Sequence, residues 1–457
     1  MSRERGIGRR LGGLAVVLLL IAGGAPAGLA AQSDGRIAYQ TYVLPNGLRV
    51  VLSEDHSAPV VTVDVWYHVG SANEVPGRSG FAHLFEHMMF QGSAHVKKAE
   101  HFKLVERAGG TVNGTTLDDR TNFFETLPSN RLNLGLWLEA DRMRSLAVTD
   151  SNFENQRQAV KEERRLRIDN QPYTGTFLDG LTMPFDSTGC FPYSHTVMGD
   201  MADLDAARTA DAQAFFHHYY VPNNAVLAVA GDFDPAQART LVERYFGSIA
   251  RGGDIAAPQC AVHFDAGARR LSVTDRNANL PAVLYIYPVP PSASPDTPAL
   301  DLLMTILGGG ESSRLNRSLV REQRAALGAG GFTHFRVGPG AVLVFAIANQ
   351  NVTSARLDTL MDAEVARLLT DTLSAAELEK AKNQYRAGAI ADRETTMGVA
   401  EALQTALRYD GSLDAANTEL ARYMAVTTDD LRRVARAYLG PDNRTTVIVN
   451  PPAPGGN

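Results

Sequence analysis

Apolar and polar positions alternate along this chain in two rhythms. Short apolar or alternating runs predict strands at Ile37–Val43, Arg49–Glu54, Val60–Val69 and Thr121–Leu127. Between them, apolar residues recur every three to four positions. That period predicts helices over Gly80–Phe90, His101–Ala108, Arg131–Ser145 and Ser151–Asp169. The Asn46-Gly47 pair between the first two strands is a hairpin signal. Strands interleaved with long helical blocks predict an α+β layered fold.

The pattern occurs twice. Phe215–Asp232 runs from a helix tail through Tyr220, Pro222 and Asn224 into a buried strand at Ala225–Ala230. Val434–Asn450 repeats this order through Tyr438, Pro441 and Asn443 into a strand at Thr445–Val449. The openings correspond as well. Pro59–Tyr67 leads from strand to helix, as does Pro281–Tyr287 before a helix at Thr297–Leu307. A period this long indicates a duplicated domain, since solenoid units are far shorter. The expected organisation is a leader at 1–31, an N-terminal domain at 36–250, a Gly/Pro/Ala-rich linker at 251–268 and a homologous C-terminal domain at 269–452.

Composition narrows the class. With 44% hydrophobic residues, 21% charged residues and a net charge of −6, the chain is neither disordered nor suited to nucleic acid as its main partner. Arg3, Arg5, Arg9 and Arg10 precede the apolar run Leu11–Ala22, and small residues then lead to Ala30 and Ala31. This order reads as a signal peptide, with the periplasm as destination and no membrane span after cleavage. An uncleaved anchor is the alternative. Cys190 and Cys260 lack metal-site spacing; they pair with each other or remain free thiols, and spacing does not decide between these.

The main chemical signal is His83-Leu84-Phe85-Glu86-His87. On a helix, His83 and His87 lie one turn apart on one face, so their imidazoles can share one tetrahedral ion. A carboxylate at Glu86 can take the proton of a water held there and pass it to a leaving amine. A hydrolytic zinc site needs a third protein ligand. The helix at 151–169 offers Glu154, Glu162 and Glu163, and spacing leaves the last two equivalent. Phe81, Leu84, Phe85, Met88, Met89 and Phe90 make the helix apolar, so unpaired His and Glu would be costly there unless coordinated.

Residues 79–92, SGFAHLFEHMMFQG, resemble the inverted H-x-x-E-H motif of the pitrilysin/insulinase metallopeptidases. Ala108–Asp119, Gln156–Arg165 and Gly308–Glu322 resemble further stretches of that family, so the likeness covers essentially the whole mature chain. The resemblance implies paired homologous α/β domains forming half of a clamshell. It implies one Zn2+ per chain, held by His83, His87 and Glu163, with Glu86 as catalytic base. The implied activity is metalloendopeptidase cleavage of unfolded or short peptides. The resemblance also implies that Asn113 contacts a substrate carbonyl, although a turn-forming Asn explains it equally well.

Two departures stand out. Gln156 occupies a position where the family often has a supporting Glu. Arg321 occupies the place of a substrate-binding Arg, but Gly328 stands where its companion Tyr is expected. The expected partner is therefore a homologous Arg/Tyr-bearing subunit in a heterodimer; a homodimer in which His334 or Arg336 substitutes is the alternative. A non-catalytic scaffold subunit is the competing function, and it has no use for an intact ligand set with a base. A closed structural zinc site is disfavoured by Glu86.

Three further features read more simply. Gly308-Gly309-Gly310 is a helix end and not a phosphate loop. His217-His218 are adjacent on a helix and face different ways. The strand Thr121–Leu127 is expected as an ordinary strand or as an edge that pairs with extended peptide.

Overall fold

The strand Val60–Tyr67 (β3) has seven of its eight residues buried, because both of its faces are covered. Around it, Gln40–Val43 (β1), Arg49–Glu54 (β2), Thr111–Thr116 (β4), Thr121–Pro128 (β5) and Ala225–Gly231 (β6) form one sheet in the order β1-β2-β6-β3-β5-β4. β1 and β2 are joined by the expected hairpin. Gly47 there adopts φ +92°, and the Asn46 Nδ2 anchors the turn on the carbonyls of Phe246 and Ile249. The structure is a computed structural model that describes residues 35–261, 267–370 and 373–453. The expected leader lies outside these residues. From Ile37 onward the chain forms one compact unit.

The second sheet comprises Arg269–Thr274 (β7), Ala282–Val289 (β8), Ala326–His334 (β9), Gly340–Ala348 (β10) and Thr445–Asn450 (β11), in the order β7-β11-β8-β10-β9. This matches β2-β6-β3-β5-β4 strand for strand. β2 runs parallel to β6 as β7 does to β11, and the remaining pairs are antiparallel in both. The closing motifs are equivalent too: Asn224 Nδ2 donates to the Tyr219 carbonyl and Asn443 Nδ2 to the Tyr438 carbonyl, both at 2.9 Å. The duplication read from the sequence is present in the fold.

Helices of the first half are Phe81–Met88 (α1), Glu100–Arg107 (α2), Leu132–Ser145 (α3), Asp150–Arg164 (α4), Thr174–Gly180 (α5), Met201–Ala206 (α6), Thr209–Tyr219 (α7) and Pro235–Phe246 (α8). Those of the second are Thr297–Gly308 (α9), Ser354–Thr370 (α10), Ala375–Asp392 (α11), Thr396–Tyr409 (α12), Ala415–Ala425 (α13) and Thr428–Tyr438 (α14). Each half packs its own helices on one face of its sheet. The other faces are exchanged. Ala400, Leu403 and Ala406 of α12 cover Val51, Val226, Ala228 and Ala230 of the first sheet. Leu181, Phe185 and Tyr193 of the first half cover Leu284, Ile286 and Leu343 of the second.

Two readings left open resolve to one of their alternatives. The strand at 121–128 is interior, flanked by β3 and β5's other neighbour β4, so β4 is the edge. The sequence Thr-Val-Asn-Gly-Thr-Thr hides this edge, because only Gly114 of the strand is fully buried and no apolar face is needed. The cysteines are bridged, Cys190 to Cys260, which ties the interdomain segment to the cover of the second sheet. No helix among the described residues is long and apolar enough to cross a membrane.

Candidate active site

Helix α1 divides its residues by face. Phe81, Leu84, Phe85 and Met88 are buried in the first core, while His83, Glu86 and His87 turn toward a cleft. Each buried apolar side chain stabilises the placement by roughly 1.5–3 kcal/mol. The helix begins after Gly80 at φ +86°, where any side chain would also meet the Met198 carbonyl at 2.9 Å. Its first turn is capped by a carboxylate from just upstream in the chain. Glu74 accepts hydrogen bonds from Gly80 N at 2.8 Å and Ala82 N at 2.7 Å.

The two imidazoles lie one turn apart with ring centroids 4.9 Å from each other. Glu163, near the end of α4, brings Oε2 to 3.0 Å from His87 Nε2 and 3.7 Å from His83 Nε2. Its neighbour Glu162 turns to solvent and pairs with Arg165 at 3.1 Å. Glu154 is exposed and pairs with Arg157. Beyond α4 the chain continues in a wider π-helical turn, Arg165–Asp169, from which Arg167 reaches back to Glu163 Oε1 at 2.8 Å.

The ligand atoms of His83, His87 and Glu163 all fall within 4.8 Å of one another. Tetrahedral zinc with bonds of about 2.0–2.1 Å spaces its ligands about 3.3 Å apart. The separations of 3.0 and 3.7 Å bracket that value. Burial, the nearby His87 and Arg167 push the His83 pKa down to about 3, so this ring is neutral, the form that binds metal. Its Nδ1 is buried without a hydrogen-bond partner. Two imidazole nitrogens and one carboxylate converging in this way fit a hydrolytic zinc ion.

Glu86 stands beside this cluster. Burial raises its carboxyl above the ordinary range, opposed by a 2.7 Å hydrogen bond from Thr116 Oγ1 and by His87. Thr116 lies on the edge strand β4. Gly114 of the same strand lets it approach, because a Cβ there would sit 3.2 Å from Glu86 Cγ and 3.0 Å from the Phe123 ring. The cleft has a volume of about 690 Å³ and is lined also by Asn113, Asp118, Arg167, His195, His334 and Arg336.

Asn113 is thus on a strand and not in a turn; it is exposed in the cleft and its Oδ1 accepts the Gly114 amide at 2.9 Å. Gln156 is buried and donates to Asn155 Oδ1 at 2.8 Å, with no bond to either imidazole. Arg321 is exposed, pairs with Glu311 at 2.7 Å and is outside the cleft lining. Glu74, Gly114, Thr116 and Arg167 escape the sequence reading. Of these, only Arg167 had a local signal, its position four residues after Glu163.

A second group, His101, Glu125 and Glu139, also comes within 4.8 Å. Its centre is already filled by the buried Arg142, which donates to Glu139 and stacks over Phe123 at 4.5 Å. The guanidinium stands where an ion would and offsets one of the two carboxylates.

Residues 49–174 match the family model described as insulinase (peptidase family M16), and 208–385 match the peptidase M16 inactive domain. The zinc protease PqqE of Helicobacter pylori is 33% identical over 450 residues, covering 97% of this chain and 99% of the relative. The chain belongs to the peptidase M16 (insulinase) family. A crystal structure of a protease from Helicobacter pylori superposes with a TM-score of 0.85 at 32% identity, over 91% of this chain and all of that one. A probable mitochondrial-processing peptidase subunit beta of Arabidopsis thaliana is 25% identical over 414 residues, 87% of this chain and 75% of the relative. Within this M16 chain, all three converging donors and Glu86 belong to the first half.

Proposed function

We propose that this protein is a zinc-dependent metalloendopeptidase acting on unfolded or short peptides. The observation that carries the reading is the approach of His83, His87 and Glu163 to one point with the Glu86 carboxyl beside it. A zinc ion there supplies Lewis acidity, polarising the scissile carbonyl and lowering the pKa of a water to about 7. The chain supplies the rest. The two imidazoles offer one nitrogen each, that of His83 held neutral by burial, and Glu163 offers one oxygen while Arg167 holds the other. Glu86, its proton affinity raised by burial, accepts the proton of the attacking water and delivers it to the leaving nitrogen. Thr116 fixes the carboxyl that does this. The edge strand β4 offers main-chain groups to an extended substrate, which gives affinity with little sequence preference. Relatives named as zinc proteases support the reading.

The assembly belongs to the same proposal. Gly328 has no hydroxyl, and Arg321 is outside the cleft lining, so a homologous subunit supplies the arginine and tyrosine. The resemblance to a subunit of a processing peptidase supports this. The N-terminal pattern directs the chain to the periplasm, a compartment that favours the Cys190–Cys260 bridge.

Metal analysis of purified protein is the first test, with about one zinc per chain expected and loss of it in His83→Ala and Glu163→Ala but not Glu162→Ala. Glu86→Gln keeps the metal and loses peptide cleavage. Cleavage by Glu86→Gln at the parental rate would refute the mechanism. Addition of a homologous Arg/Tyr-bearing chain should raise activity, and the absence of any gain counts against the heterodimer.

A further inference from the structure

Part of the cleft lining comes from the second half of the chain: His334, the last residue of β9, and Arg336 just after it. Both are held by Asp118, which lies in the turn between β4 and β5. Asp118 Oδ2 is 2.8 Å from His334 Nε2, and Oδ1 accepts from Arg336 Nε at 2.9 Å. Asp118 is buried, and these two partners hold its carboxyl well below the usual carboxylate range, so it is a permanent anion.

The two cationic-type residues differ in what remains to them. Arg336 is 2% exposed, donates to the Leu181 carbonyl, and lies over the rings of Phe185 and Tyr193 at 5.2 and 5.1 Å. It is fully engaged in joining the halves. His334 keeps 29% of its side chain exposed, and its ring bonds to the described residues through Nε2 alone. In the neutral ring, an Nε2–H donated to a fixed carboxylate leaves the lone pair on Nδ1.

A peptide extended along β4 satisfies one of its edges there. Its other edge brings N–H groups into the cleft that leave water and need acceptors. Of the cleft carboxylates, Glu86 and Glu163 already accept from Thr116 and Arg167, and Asp118 accepts from both His334 and Arg336; the ring nitrogens of His195, also in the lining, are buried. The Nδ1 of His334 is not. We propose that His334 is a substrate-binding residue whose Nδ1 accepts a main-chain N–H of the bound peptide, with Asp118 as its positioning residue. This inference rests on the peptidase reading. It also couples the parts of the site, since Asp118 is two residues from Thr116, which holds Glu86.

Zinc-loaded Glu86→Gln protein, titrated against a fluorescein-labelled unstructured peptide with blocked ends, measures binding by anisotropy without turnover. Adding His334→Ala should raise Kd roughly three- to tenfold, the loss of one hydrogen bond, at unchanged zinc content. His334→Asn, which keeps an acceptor on a shorter arm, should recover part of that loss. In the active enzyme the same substitution should raise KM and leave kcat near the parental value. Equal Kd with and without His334→Ala overturns the assignment and leaves the peptidase reading standing. A zinc-loaded Glu86→Gln protein that binds no peptide, with the homologous Arg/Tyr-bearing chain present, overturns both. Should circular dichroism show that His334→Ala misfolds, His334→Asn and His334→Gln decide, and parental Kd in both overturns the proposal.

Discussion

Glu74 caps the helix that carries His83, and it does so from nine residues earlier in the chain, with one oxygen on Gly80 N and the other on Ala82 N. The carboxylate is fully buried, so these two amides have no water to replace it. Glu74→Ala should therefore destabilise the fold by about 3 kcal/mol and weaken zinc binding by roughly tenfold or more, because the start of α1 sets where His83 points. Glu74→Gln, which keeps an acceptor, should be milder. Thermal unfolding and zinc titration measure both. Unchanged zinc affinity in Glu74→Ala would show that the cap does not align the imidazoles.

Gly114 lets β4 lie against the Glu86 carboxyl. A methyl group added there meets Glu86 Cγ at 3.2 Å and Phe123 Cδ1 at 3.0 Å, contacts tight enough that something has to shift. Since Phe123 is locked in the core, Glu86 moves. Gly114→Ala should lower kcat by about tenfold or more with zinc retained, the effect of a displaced base. Steady-state kinetics alongside metal analysis tests this, and a parental kcat would show that the strand yields instead.

The seam between the halves should respond to pH. Asn122 Nδ2 donates to Asp64 Oδ1 at 3.1 Å and to Glu401 Oε1 at 2.9 Å, placing a carboxyl of β3 near one of α12. Burial and the nearby Glu401 hold the Asp64 pKa well above its ordinary value. A folded pKa above the unfolded one means that the contribution is complete below the unfolded value, about 3.9, and is lost as pH rises through the folded value. Asp64→Asn removes the charge and keeps an acceptor for Asn122. It should raise the Tm on the neutral and alkaline side and flatten its dependence on pH. Parallel Tm–pH curves for the two proteins would contradict this account.

The Cys190–Cys260 bridge closes a loop across a sequence separation of 70 residues. Replacing both cysteines by serine should cost about 2–4 kcal/mol in stability. Differential scanning calorimetry of the parent with and without reductant should show the same loss, and an unchanged Tm would mean that the segment is held by packing alone.

Much of the site was legible because its chemistry is local. His83, Glu86 and His87 share one helix, and helical spacing alone brings them together. Glu163 was not legible by spacing, since Glu162 fits as well; packing of α4 decides it by turning one acid inward and the other to water. Glu74, Thr116 and Asp118 act through partners 8, 30 and 216 residues away, separations that leave no trace in a local pattern. The fold shows the same division. Buried strands such as β3 and β6 announced themselves by apolar runs, whereas the edge strands β4, β7 and β9 are polar, exposed or glycine-rich. β10 carries a clear apolar run, but it falls between the openings and closings through which the two halves were matched.

The exchanged covers bear on how such a chain is made. Each sheet borrows its outer coat from the opposite half, α12 in one direction and the segment around Leu181, Phe185 and Tyr193 in the other. A gene cut near residue 255 would yield two fragments, each with a bare apolar face, and neither would be soluble by itself. Co-translated, the fragments would instead find each other and rebuild the fold, so this duplicated protein behaves as an interlocked pair that happens to be joined by a peptide bond.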